Sequence, residues 1–412
     1  MINAEFKNHC NAVDEAAFAS FDMYENVMDE CDLSSEIFQA GLNNHLNYAQ
    51  ALMNESAYHI APQLRRGRGA GMNPSGRFEN QVLEKFEDDW WHEEEKPIKT
   101  TVQIEQTNRI ISYNDSPDIP FDRSINPYRG CEHGCIYCYA RPSHSYMGLS
   151  AGLDFETRLF SKPDAVKCLE KELSKPNYKP HPIALGSNTD PYQPIEKQWR
   201  ITRQILELLL RVRHPVTITT KSASILRDID ILSEMTRRNL VHVALSITTL
   251  DRELARKIEP RCSTPSKRLK AIEMLHEASV PVSALIAPVI PGLNDHEIEN
   301  IVAEVAKAGA ITARYILLRL PYEVAPLFRE WLLREYPDRY RRVMMLIRGM
   351  RNGKDYDADW KTRMSGNGPF AELIARRFKL AIKRCGLNKK ITSLSTSQFV
   401  PPRIGPQQLS LF

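Results

Sequence analysis

Three cysteines crowd one short segment, Cys131-Glu132-His133-Gly134-Cys135-Ile136-Tyr137-Cys138. Thiolates at C-x3-C-x2-C spacing, joined by tight turns, can wrap one face of a cuboidal iron–sulfur cluster. A four-iron cluster bound by cysteine alone takes four ligands. Three leave one iron open to a ligand from outside the chain. His133 offers a second chemistry, a Cys3His zinc site. Zinc modules separate their ligands into two pairs, however, and here all candidates share one loop. The other five cysteines, Cys10, Cys31, Cys168, Cys262 and Cys385, are scattered and read as small buried apolar residues.

A loop of this kind needs a scaffold, and the sequence around it supplies a repeating one. Short apolar or β-branched runs fall at 183–185, 216–220, 241–247, 282–287 and 313–318. Helical spacing separates them: Ile201, Ile205, Leu208 and Leu209 share a face, as do Ile225, Ile229 and Leu232, then Leu269, Ile272 and Leu275, then Ile298, Ile301, Val302 and Val305. With one more strand just before Cys131, about six βα units result. Repeated units of this kind imply a parallel sheet covered by helices, with chemistry where strands end and loops begin. Polar residues stand at those ends: 187–190, Lys221-Ser222, 246–249 and 288–295.

These features together resemble the radical S-adenosylmethionine (SAM) superfamily, over roughly residues 115–295. The resemblance implies a partial TIM-type (βα)6 barrel of the α/β class. It also implies a 4Fe-4S cluster on Cys131, Cys135 and Cys138, with SAM chelated at the open iron. One-electron reduction, from a donor such as flavodoxin or ferredoxin, then cleaves SAM to methionine and a 5′-deoxyadenosyl radical. A closer resemblance is to the spore photoproduct lyase-like branch, related to DNA repair photolyases. It rests on Asn126-Pro-Tyr-Arg-Gly-Cys131, Asn188-Thr-Asp-Pro-Tyr-Gln-Pro194, Thr219-Thr-Lys-Ser222, Ser246-Ile-Thr, Glu259-Pro-Arg261 and Ala287-Pro-Val-Ile-Pro-Gly-Leu-Asn-Asp295. By that resemblance Tyr137, Gly186, Ser187, Asn188 and Thr189 line the adenine and methionyl pocket. Lys221 pairs the SAM carboxylate, Ser246 lies beside it, and Arg261 and Arg268 complete a polar wall. The chemistry agrees, since SAM presents a carboxylate, ribose hydroxyls and an adenine edge.

One position departs from that branch. Its hydrogen-returning cysteine, aligned on Asp190, falls at Ser187 here, and a serine O–H bond is too strong to give a hydrogen atom to a carbon radical efficiently. Cys262 or Tyr192 is expected to substitute; Cys168, on an expected helix, is not.

The ends of the chain differ in charge although the 412 residues sum to only +4. Residues 1–60 hold ten Asp/Glu against one Lys and read as an acidic N-terminal extension, either a helical hairpin or a dispensable segment preceding Met53. Residues 61–120 form a lead-in containing Arg65-Arg66-Gly67-Arg68-Gly69, read as a flexible linker or a phosphate-touching arm. Trp90-Trp91 is expected to dock this segment on the barrel at 121–320. Residues 321–400 carry most of the eighteen Lys/Arg that residues 321–412 set against eight Asp/Glu. They read as helical over 324–350 and 368–385, and as a candidate nucleic-acid face, DNA above RNA. A Pro-rich tail, 401–412, ends in Gln408-Leu409-Ser410-Leu411-Phe412, which resembles the pentapeptide that binds bacterial sliding clamps.

No apolar run approaches the ~20 residues that span a bilayer, and no secretory signal is read at the N-terminus. The expectation is a cytoplasmic radical SAM enzyme acting on nucleic acid, in DNA repair or base modification. The alternatives are RNA or protein modification on the same scaffold, or a non-catalytic Cys/His module that binds nucleic acid.

Overall fold

The computed structural model describes residues 60–78, 97–389 and 391–403. The chain divides into two units, Met1–Glu55 and Ser56–Phe412, and everything below concerns the second. The expected acidic extension, the Trp90-Trp91 pair and the terminal pentapeptide lie outside the described residues.

Ten strands follow one another: β1 (Thr101–Ile104), β2 (Ile111–Tyr113), β3 (Arg123–Ile125), β4 (Tyr128–Arg129), β5 (Arg158–Ser161), β6 (Ile183–Leu185), β7 (Val216–Thr220), β8 (Val241–Ser246), β9 (Val282–Val289) and β10 (Thr312–Leu317). Seven of them form one sheet in the order β10-β9-β8-β7-β6-β3-β2. Pairing is parallel from β3 to β10, and β2 runs antiparallel at the edge. The six parallel strands are the expected (βα)6 partial barrel. The strand before Cys131 is two pieces: β3 in the main sheet, and β4 in a small sheet of order β1-β5-β4.

Apolar side chains at every second position give each of these strands one buried apolar face. Ile183, Leu185, Val216, Ile218, Val241, Val243, Leu245, Val282, Ala284 and Ile286 are all buried. The intervening helices bury the stripes that their spacing predicts: Ile205, Leu208 and Leu209 on Ile201–Arg211, Ala271, Ile272 and Leu275 on Pro265–Glu277, and Ile301, Val302 and Val305 on Ile298–Lys307.

Two readings of the sequence are corrected. The helical stretch 324–350 is two helices, Val324–Glu335 and Tyr340–Gly349, parted at Pro337, whose ring cannot continue the first. The Arg65–Gly69 stretch is neither linker nor free arm. Arg68 is buried and bonds the carbonyls of Glu156 and Ile98 and the Thr100 hydroxyl.

The helix Gly368–Arg384 packs on Ile298–Lys307 and β10 through Ala371, Ile374, Phe378 and Ala381. It ends, as expected, at Gly386 with φ +67°. Residues 391–403 then cross the opposite end of the sheet. Ser395 N–H bonds the Asn239 carbonyl, Val400 N–H bonds the Val212 carbonyl, and Phe399 packs on Tyr178 and His214. Among the described residues no helix is long and apolar enough to cross a membrane.

Candidate active site

The cysteine loop leaves β4 and turns over the C-terminal ends of the parallel strands. Its turns are short: Gly134 N–H bonds the Cys131 carbonyl and Cys138 N–H the Cys135 carbonyl. Cys131 and Cys135 are buried and Cys138 is half-buried. Cys135 and Cys131 lie near enough to Cys138 for their charges to act on it. Burial first, and then the neighbouring Cys135 and Cys131, push the Cys138 thiol up to about 12. Cationic iron would relieve that mutual repulsion on binding the thiolates. The donor set therefore fits a cluster with one open iron.

The loop is held from outside by a saturated lock. Arg141, fully buried, donates to the carbonyls of Cys135 (3.0 Å), Ala151 and Gly152 and to the Glu156 carboxylate (2.6 Å). Glu156 also accepts the N–H groups of Gly69 (3.0 Å) and Ala70 (2.9 Å). A β-carbon at Gly69 would stand 2.0 Å from the Gly134 carbonyl oxygen, so only glycine lets the lead-in lie on the loop.

Inside the loop the strand ends meet it. Gly186 closes β6 at φ +93°, where a β-carbon would strike the Thr219 carbonyl at 2.2 Å. The next residues tie β6 to the loop. The Asn126 amide oxygen accepts the Asn188 N–H (2.9 Å), its amide group bonds the Ser187 hydroxyl, and Thr189 donates to the Gly130 carbonyl (2.9 Å). Asp190 accepts from the Thr220 hydroxyl, the Lys221 N–H and His133. Burial works against its charge, yet His133 beside it holds its pKa down at about 2. His133 lies 3.3 Å from Asp190 and also bonds Cys131. Among the described residues no group of three or more His, Cys, Asp or Glu could hold a single metal ion.

Lys221 and Tyr137 come together as expected, the ammonium 5.7 Å from the ring centroid. Burial lowers the Lys221 pKa, but Cys135, Glu259 and Cys262 outweigh it and raise the value overall. Lys221 is half-buried, and among the described residues its ammonium makes no hydrogen bond.

Arg268 and Arg261 do not join Lys221 as open cations. Arg268 is fully buried, bonded to Glu259 and to the carbonyls of Ser246 (3.1 Å) and Ser263 (2.7 Å). Arg261 points outward and staples Glu132 to the Gly67 carbonyl. Ser246 is buried beneath, with its carbonyl on Arg268. Glu259, which sequence reasoning missed as a site residue, is the hub. It accepts from Arg268, from the Tyr137 hydroxyl and from the Thr248 hydroxyl (2.5 Å).

Cys262 arrives at the cluster loop, its sulfur 3.6 Å from that of Cys135. The hydrogen bond between the two sulfurs, ahead of every other cause, lowers the Cys135 pKa to about 7. Tyr192 does not arrive. Its buried ring lines a separate cavity of about 190 Å³ with Glu196 and Arg227. Cys168 donates to the Thr107 carbonyl on a distant helix.

Residues 125–305 match the family model of the Radical SAM superfamily. An uncharacterized Mycobacterium tuberculosis protein is 34% identical over 232 residues, 56% of this chain and 68% of the relative. An uncharacterized Methanocaldococcus jannaschii protein is 31% identical over 216 residues, 52% of this chain and 77% of that one. The chain belongs to the radical SAM superfamily.

Among solved structures, spore photoproduct lyase complexed with dinucleoside spore photoproduct aligns over 69% of this chain and 78% of its own, at 14% identity and a TM-score of 0.47. SuiB of Streptococcus suis bound to S-adenosylmethionine aligns over 70% and 48%, at 9% identity and a TM-score of 0.33. As a radical SAM enzyme the chain takes a 4Fe-4S cluster and SAM. Cys131, Cys135 and Cys138 would hold the cluster.

Proposed function

We propose that this radical SAM enzyme acts on DNA, in repair or base modification, with chemistry like that of the spore photoproduct lyase branch. When bound, the cluster and SAM supply a 5′-deoxyadenosyl radical for hydrogen abstraction. The residues of the chain bind, orient and enclose. Lys221 sets the SAM carboxylate, and Tyr137 is locked by Glu259 against the strand ends. The single observation that carries the DNA reading is the helix Gly368–Arg384. It turns Lys379, Lys383 and Arg384 to solvent with no carboxylate partner among the described residues, while its apolar face stays on the barrel. Unpaired surface cations of this kind suit a polyphosphate backbone.

The missing cysteine at Ser187 assigns the hydrogen-atom donor role to Cys262. Among the described residues it is the one cysteine at the site that the triplet does not use. Cytoplasmic residence and recruitment by a sliding clamp through Gln408–Phe412 belong to the same proposal.

The test is anaerobic incubation with SAM, a reductant and damaged DNA, following 5′-deoxyadenosine and DNA products. Turnover that depends on RNA or a polypeptide, with DNA inert, overturns the reading. Cys262→Ala should keep SAM cleavage and lose product quenching; unchanged product yield removes Cys262 from the reaction.

A further inference from the structure

Two loops beside the active site leave large aromatic rings in water. The first continues from Cys138 and carries Tyr139 (47% exposed) and Tyr146 (73%). The second follows β10 and carries Arg319 and Tyr322 (69% exposed). A third segment brings Arg77 and Phe78, the ring of Phe78 being 55% exposed.

These residues meet each other. The Arg77 guanidinium lies 3.9 Å from the Tyr322 ring centroid, 4.9 Å from that of Phe78 and 5.4 Å from that of Tyr146. Phe78 and Tyr146 stand 5.1 Å apart, and Arg319 covers Tyr139 at 5.1 Å. Ser145 and Glu323 tie the two loops together at 3.3 Å. Tyr322 adopts φ +49°, a region that disfavours a bulky side chain. Single exposed rings need no explanation, but two groups of rings layered with guanidiniums, on the loops that leave Cys138 and β10, mark a binding surface.

We infer that this aromatic–arginine shelf holds unpaired DNA, with bases stacked on its rings and guanidinium planes and phosphates drawn to Arg77 and Arg319. The inference rests on the DNA reading above and adds the form of the substrate and its seat. Base faces are hidden inside a duplex, so a stacking shelf selects a strand whose bases have left it. The buried position of the cysteines imposes the same condition, because the target base must reach inward.

The test is fluorescence anisotropy with full-length, cluster-loaded protein and labelled oligonucleotides of ~12 nucleotides, within the usual range of single-strand site sizes. The arms are single-stranded DNA, the matching duplex and the RNA of the same sequence. Single-stranded DNA should bind more tightly than duplex. Tyr146→Ala should weaken it about ten-fold, as expected for loss of one stacked base. Tyr146→Phe should restore it, and SAM cleavage without DNA should be the same in both variants. If Tyr146→Ala and Tyr322→Ala bind as the parent does, the shelf serves another ligand, such as a polypeptide, and the inference fails while the DNA reading stands. Tighter binding of RNA overturns the choice of DNA. No binding by the parent overturns both proposals.

Discussion

The two sides of the cysteine loop treat their charges in opposite ways. On the outer side Arg141 and Glu156 give their polar atoms to each other and to backbone, four acceptors for the guanidinium and three donors for the carboxylate. On the inner side Lys221 keeps a hydrogen-bond-free ammonium over Tyr137, although Glu259 and Arg268 beside it are saturated. A buried charge is tolerated when every partner is in place. The outer side is therefore built to hold a shape. The inner side keeps one half-buried cation without a hydrogen bond among the described residues.

This contrast can be broken at several points. The largest effect belongs to the loop itself: Cys135→Ala should abolish the cluster and SAM cleavage, with the barrel still folded. Iron analysis, electron paramagnetic resonance and circular dichroism would show it, and normal iron content in the variant would refute the three-ligand site. Next is the outer lock. Glu156→Ala leaves Arg141 buried without its counter-charge and should cost about 3–5 kcal/mol of stability. The chemical-denaturation midpoint measures this, and a change under 1 kcal/mol would show that the lock is not structural.

The inner side should respond differently. Lys221→Ala should leave iron content and stability near those of the parent while SAM affinity falls ten-fold or more, the scale of one charge-assisted hydrogen bond at ~1.5–3 kcal/mol. Calorimetry on the reconstituted protein decides it; an unchanged affinity would leave the unmet charge without a purpose. The smallest effect is expected for the pentapeptide Gln408–Phe412. Deleting residues 408–412 should spare the cluster, SAM cleavage and folding, and remove only association with a bacterial sliding clamp. Full-length protein that shows no clamp binding at tens of micromolar would end that proposal.

Much of this was legible in the sequence. The strands β6 to β10 fall where β-branched and apolar runs predict them, because the face turned to the helices must be apolar at every second position. The cysteine triplet, Tyr137 and Lys221 follow from residue type, spacing and resemblance. What was not legible depends on contacts across long sequence separations. Arg68, Gly69 and Ala70 look like linker composition, and only their meeting with Glu156, almost ninety residues on, makes them part of the loop's support. Arg261 and Arg268 are both plausible ligand cations by type. One is spent on Glu132 and the other on Glu259, and spacing alone does not reveal which partner wins. Glu259 lay within a segment that carried the resemblance, yet a lone glutamate gives no sign that it gathers three donors. Tyr192 illustrates the reverse: two residues after Asp190, it turns its ring to the other side of the strand end.

The path of residues 391–403 gives the molecule a front and a back. They run along the end of the sheet where β7 and β8 begin, so the chain reaches Arg403 on the face opposite the cysteines. The starts of β7 and β8 are thus covered by the chain's own backbone, which confines traffic to the opposite strand ends, where Lys221 and Ser246 stand.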